Sequence, residues 1–369
     1  MKRILLTMTV LLAATSTMTS MVHSKPASTV KVAANIPLTG PISAWSGQYP
    51  TGFKMGIEDS AKKLNLASNS FQIDFQDNAG KPSTAVSAFQ KQKLSGFDVY
   101  VSGTSEASIA LAPQVEATGV PHFLVAFDPF LAREGKNRLR VLPNSKIEAP
   151  LFVDYAKKVN AKRVFIINLN SAYANSEFGS IVEPELKNAG IQFTHERFEF
   201  PEHEFRTITQ KAKAYHPDLI YVCGYSTHLR PLLRDLRAAG LAKDGTIMAV
   251  MDFVDFLYDG TPKEELQGIV FACPLFEVKN AVKGAEQWRQ NYKTKNGKLP
   301  SYVAAYAYDT AGILATAYKR FGNVGMQSLR KSLPYDGVTG KINVDNDGDI
   351  IATITIAKLA PDGTVKQIK

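Results

Sequence analysis

The sequence predicts an α/β protein made of two doubly wound, Rossmann-like lobes. Three observations carry this. Apolar strand-like runs alternate with amphipathic helical stretches, and little chain lies between them. The alternation runs through one βαβαβ series of about 120 residues and restarts after Arg140-Val-Leu-Pro-Asn-Ser145. Several strands are apolar throughout, as strands buried on both faces are.

The first series opens with strand Val30–Ile36, broken by Pro37-Leu-Thr-Gly40-Pro41 and a small-residue loop presenting Trp45 as an exposed side chain. Phe53, Ile57, Ala61 and Leu64 then recur at helical spacing. Phe71, Ile73 and Phe75 alternate as a second strand, and a helix follows from Pro82. Asp98–Ser102 is a third strand, Ser108–Ala117 a helix, and His122–Phe127 a fourth strand. The second series has strands at Arg163–Leu169, Phe193–Phe200, Leu219–Gly224 and Thr246–Met251. Helices at Ile147–Val159, Ser180–Ala189, Phe205–Tyr215 and His228–Ala239 accompany them. The end breaks the rhythm. Helices Ala281–Asn296 and Tyr302–Phe321 precede Gly337–Val344 and Ile350–Leu359, which read as a hairpin around Asp347-Gly348.

At 369 residues and 45% hydrophobic, the chain is long enough for two cores. Lys2 and Arg3, the apolar run Ile4–Ala14 and a small polar stretch ending near Ser24 have the form of a secretory signal peptide. The apolar run is well short of the roughly 20 residues that span a bilayer. No Cys follows the cleavage site, so an exported protein beginning near Lys25, without a lipid anchor, is expected. Cys223 and Cys273 are compatible with a disulfide and equally with two buried thiols. The formal charge of +9 is scattered over helical faces without aromatic interleaving, which makes no nucleic-acid footprint.

In open parallel sheets, loops at the carboxyl ends of strands form the ligand crevice. Those loops carry no catalytic set. There is no phosphate loop, no G-x-S-x-G and no H-E-x-x-H. His122, His195, His203, His216 and His228 lack ligand spacing and read as surface or supporting residues. Asn343 to Ile350 places oxygen ligands as a calcium loop would, but Ile354 stands where a bidentate Glu belongs, so a hairpin turn is expected. Binding without chemistry, with no cofactor and no metal, is the function class that remains.

Several stretches in order then resemble one family. "VKVAANIPLTGPISAWSGQYPTGFKMGIE", "SGTSEASIALAPQVEATGVP", "DLIYVCGYSTHLRPLLRDLRAAGL" and "YDGVTGKINVDNDGDI" are similar to the branched-chain amino-acid type of periplasmic binding protein, the type I solute-binding components of ABC importers. The resemblance implies two lobes joined by a three-stranded hinge, with crossings near Pro143–Ser145, Pro274–Glu277 and Leu333–Asp336. It divides the chain into a signal peptide (1–24), an N-terminal lobe (25–143 plus 276–332) and a C-terminal lobe (144–275 plus 333–369). It also implies a periplasmic monomer that delivers its ligand to an ABC permease in the inner membrane; a soluble sensory adaptor would use the same fold. Ligand contacts to both lobes would favour the closed state over the open one.

Carried over residue by residue, the resemblance places Trp45 as an aromatic wall and Thr104-Ser105 at the ligand carboxylate. Ala126-Phe127 falls on the next contact loop, and Tyr173, Tyr225 and Asp252 (or Met251) on the second lobe. Tyr302 opens a long helix beside them. Where the family's amino-acid binders place Thr or Ser, this chain has Phe127, which supplies neither donor nor acceptor. So aromatic a cleft with one anion-binding loop suits a flat or apolar carboxylate at least as well as leucine, with poor discrimination for an α-ammonium group.

Overall fold

A computed structural model describes residues 29–352 and 354–368. The signal-peptide stretch lies outside the described residues. A first sheet contains β1 (Val30–Ile36), β2 (Phe71–Asp77), β3 (Val99–Gly103), β4 (His122–Val125) and β5 (Arg138–Leu139), all parallel, in the order β2-β1-β3-β4-β5. A second sheet repeats this winding with β6 (Arg163–Leu169), β7 (Gln192–Phe198), β8 (Leu219–Cys223), β9 (Ile247–Ala249) and β10 (Ile269–Pro274), in the order β7-β6-β8-β9-β10. Strands β3, β4, β8 and β10 are buried along their whole length, whereas the edge strand β2 alternates in exposure over its first residues. Sequence pattern and position in the sheet therefore agree: continuous apolar runs fill the centre, alternating ones the edge.

The expected hairpin around Asp347-Gly348 forms between Gly340–Val344 and Ile350–Ile351, but its second arm is much shorter than expected. β11 (Tyr335–Gly337), β12 (Gly340–Val344) and β13 (Ile350–Ile351) form a small antiparallel sheet, with the turn at Gly348 (φ 90°). The run does not continue as one strand. β14 (Ile354–Leu359) instead pairs antiparallel with β10, and β15 (Val365–Gln367) with β14, extending the second sheet. Pairing with β10 lets β14 bury Ile354, Thr355, Ala357 and Leu359 against the second core. Strand β4 also stops at Val125, two residues short of the expected end. There Ser105 and Arg140 take over the backbone groups of the following loop. Of the two readings, surface or supporting, His122 and His228 take the second: both are buried, and Ser102 Oγ and the Phe200 carbonyl hydrogen-bond their rings. Both cysteines are buried free thiols.

Helix Tyr302–Phe321 is buried along most of its length and packs on helix Tyr49–Lys63. The close approach depends on two glycines one turn apart. A Cβ at Gly52 would lie 2.8 Å from the Ala304 Cα, and one at Gly56 would lie 2.8 Å from the Ala311 Cβ. Gly52→Ala is therefore expected to destabilise the protein by about 1–3 kcal/mol through overpacking. Urea unfolding monitored by circular dichroism checks this, and an unchanged midpoint would refute it. No helix among the described residues is long and apolar enough to cross a membrane.

Candidate ligand cleft

Both sheets reverse their strand order at one point, between β1 and β3 in the first and between β6 and β8 in the second. Loops that leave the carboxyl ends of strands at such a point diverge and open a crevice. Trp45 and Ser105 follow β1 and β3; Tyr173 and Tyr225 follow β6 and β8; Phe127 and Asp252 follow β4 and β9. The structure brings these residues from the two lobes together.

On the first lobe, Trp45 is 2% exposed, so it is not the surface residue its loop suggested. It lies in a single helical turn, Ser43–Ser46, and its indole Nε1 donates to the Tyr302 hydroxyl at 2.8 Å. Asp77 holds the preceding turn by accepting from the amides of Leu38, at 2.8 Å, and Thr39, at 3.3 Å. Aromatic rings continue across the cleft. Trp45 and Phe127 centroids are 5.6 Å apart, Phe127 and Tyr173 5.8 Å, and Tyr173 and Tyr225 6.2 Å. Phe127 thus joins the aromatic groups of the two lobes.

The helix expected from Ser108 begins at Ser105, which brings its first turn to the cleft. Thr104 caps it from φ 70°, ψ 152°, a conformation costly for a β-branched residue. Ser105 Oγ accepts from the amides of Phe127 and Asp128, both at 3.1 Å. With both lone pairs engaged, its O–H proton is what remains to offer, which suits an anion. The loop is held on its other side by Arg140, whose Nη1 donates to the carbonyls of Ala126 at 2.9 Å and Asp128 at 2.5 Å. The Ala126 carbonyl is therefore committed to Arg140. Arg140 is fully buried, and its Nε pairs with Asp349 Oδ1 at 2.6 Å.

The second lobe contributes buried carboxyl groups. Residues 251–257 form a 3-10 helix instead of continuing the strand. Asp252 is 1% exposed, and its Oδ1 has no hydrogen-bond partner among the described residues. Burial, reinforced by the charge of Glu148, pushes its carboxyl well above the ordinary range. Glu148 Oε1 accepts from the Met251 amide at 2.6 Å, and Glu177 Oε2 accepts from Ser145 Oγ at 2.7 Å. Glu148 is raised by burial and by Glu177, and burial lifts Glu177 to about 8. Two protein–protein bonds also cross the cleft rim: Glu106 Oε1 accepts from the Ala172 amide at 3.2 Å, and Asp128 Oδ2 from Ser176 Oγ at 3.1 Å.

Sequence reasoning did not find Glu148, Glu177, Arg140 or Glu106. Glu148 had a readable signal: it falls in register with Phe152 and Tyr155 on the buried face of helix Ser145–Lys158, where a carboxylate is out of place. The other three are marked only by tertiary contacts.

Two doubly wound sheets whose switch-point loops meet give the architecture of a two-lobed binding protein. The periplasmic binding protein family profile matches residues 29–364, and the chain belongs to that family, whose members bind solutes and are not enzymes. It is 22% identical over 324 residues to the Leu/Ile/Val-binding protein homolog 3 of Brucella melitensis, covering 85% of this chain and 86% of the relative. It is also 22% identical over 362 residues to the leucine-, isoleucine-, valine-, threonine- and alanine-binding protein of Pseudomonas aeruginosa, covering 94% of each. Among solved structures, the branched-chain amino acid transporter substrate binding protein of Streptococcus pneumoniae with isoleucine superposes with a TM-score of 0.80 at 22% identity. That match covers 92% of this chain and 98% of the other. A solute binding protein of an ABC transporter from Rhodopseudomonas palustris, in complex with 3,4-dihydroxy benzoic acid, gives 0.79 at 20% identity, covering 92% and 96%.

Proposed function

We propose that this protein is the periplasmic solute-binding component of an ABC importer and that its ligand is an α-amino acid. The lobe division follows the three crossings expected from the sequence. In this reading the ligand carboxylate meets Ser105 and the first turn of helix Ser105–Glu116, and its side chain lies among Trp45, Phe127, Tyr173, Tyr225 and Tyr302. Its ammonium group faces Asp252. The observation that carries the choice is the buried, unpartnered Asp252 Oδ1 with Glu148 and Glu177 behind it. A group of buried carboxyls to which no cationic side chain is paired among the described residues favours a ligand that brings one.

A second reading, an aromatic or apolar carboxylate without an amine, draws support from Phe127 and its ring neighbours. The two readings have opposite proton linkage. An ammonium group beside raised carboxyl groups lowers their pKa, so binding releases protons and affinity rises with pH. An anion raises them further, so binding takes up protons and affinity falls with pH. Titration calorimetry from about pH 5.5 to 8.5, the side of the ordinary carboxyl range toward which these groups are shifted, reads the sign. Leucine and its deaminated analogue, with Trp45 emission as a second signal, are the pair to compare. Affinity for leucine that is flat or falls with pH would refute the amino-acid reading.

A further inference from the structure

The 3-10 helix Met251–Leu257 carries a second unneutralised acid. Such a helix has three residues per turn, so positions i and i+3 eclipse, about 6 Å apart along the axis. Asp252 and Asp255 occupy such positions. Asp255 is only 8% exposed, and its carboxyl group, which faces a cavity, has no side-chain or backbone hydrogen bond among the described residues. It lines a cavity of about 320 Å³ built from both lobes, by Ser43, Gln48 and Ser301 on one side and Ser226 and Tyr258 on the other. Ala44 and Ser301 on its wall are the chain neighbours of Trp45 and Tyr302, the hydrogen-bonded aromatic pair, whose rings do not themselves line it.

Neighbouring acids are already balanced. Arg230 Nη2 pairs with Asp259 at 2.6 Å and Arg289 Nη1 with Glu277 at 3.2 Å. Asp252 and Asp255 have no such partner. Burial and the charges of Asp252, Asp259 and Glu277 all work against ionisation of Asp255. The only cationic side chain lining the cavity is the exposed Lys298, which makes no ion pair among the described residues.

We propose that Asp255 is the distal subsite of the cleft, and that the preferred ligand is a basic amino acid whose side chain ends in an ammonium or guanidinium group. This rests on the amino-acid reading above. With the α-ammonium at Asp252, the second cation falls one 3-10 turn further on, at Asp255. The aliphatic stem between them lies on aromatic rings, an arrangement favourable for cationic side chains.

The test is calorimetric titration of the whole protein with lysine, arginine and norleucine, repeated on Asp255→Asn. Lysine or arginine is expected to bind roughly ten- to hundredfold tighter than norleucine, and Asp255→Asn to abolish that preference while leaving norleucine affinity unchanged. Removing a buried acid should not lower the unfolding midpoint, and thermal denaturation verifies that the variant is folded. Norleucine binding as tightly as lysine, or an equal loss for all three ligands in the variant, would overturn the subsite and leave the amino-acid reading intact. Failure of all three to bind, with capture of an aromatic carboxylate instead, would overturn both.

Discussion

Asp252→Asn is expected to weaken amino-acid binding by roughly thirty- to several-thousandfold while raising the stability of the ligand-free protein. The two effects have one cause. Truncating one partner of a desolvated charge pair typically costs 2–5 kcal/mol of binding. In the ligand-free protein the same carboxyl group is buried, has one oxygen without a partner and is next to Glu148, so neutralising it relieves desolvation and like-charge repulsion. A folded-state pKa raised above its unfolded value contributes stability that is complete below the ordinary carboxyl range and is lost as pH rises through the folded value. The stability advantage of Asp252→Asn should therefore widen with increasing pH. Wild-type stability should itself decline from pH 5 through the region near 8, where Glu177 titrates. Calorimetry measures the binding loss and scanning fluorimetry over pH the stability. A variant that binds amino acids normally would remove Asp252 from the site, and one that is less stable at pH 8 would remove the electrostatic account of it.

The largest loss of stability is expected at Arg140. Arg140→Met leaves Asp349 buried without its 2.6 Å partner, a change that costs about 3–5 kcal/mol when a buried pair is broken from one side. It also releases the carbonyls of Ala126 and Asp128, so the loop bearing Phe127 loses one of its two clamps and ligand affinity falls with it. The double variant Arg140→Met/Asp349→Leu separates these roles. Replacing both charges by apolar groups should restore most of the stability. It cannot restore the two carbonyl contacts, so affinity should stay low. Urea unfolding and calorimetry on the two variants make the comparison. Recovery of both properties together would show that Arg140 acts on the loop only through global stability.

Much of the architecture was legible because the physics behind it is local. Runs such as Leu219–Cys223 and Ile269–Pro274 are apolar without interruption, and only a strand between two covered faces requires that. The carboxyl-terminal hairpin was readable at its turn but not in its extent, because alternation within Ile350–Leu359 does not say where one strand ends or which neighbour the rest pairs with; β10, far away in sequence, captured β14. At the cleft, the family resemblance pointed to the aromatic residues, and Trp45, Phe127, Tyr173 and Tyr225 do follow strands. The electrostatics could not be read in this way. Glu148, Glu177, Asp252 and Asp255 come from three separate segments, and their shifted ionisation exists only once the fold has excluded water from all of them. Ser105 lies between these cases: its place was readable, but not that its lone pairs are spent on Phe127 and Asp128.

The bonds from Glu106 to Ala172 and from Asp128 to Ser176 span the rim without involving any ligand. In the proposed reading, where the lobes close on a ligand, part of the free energy of closing is thus the same whatever is inside. Apparent affinity scales with the fraction of molecules already competent to hold a ligand, so these rim contacts set a multiplier common to every solute. The ranking among solutes is left to the groups lining the cleft. On that reading, changes at the rim would retune overall affinity without altering which solute is preferred.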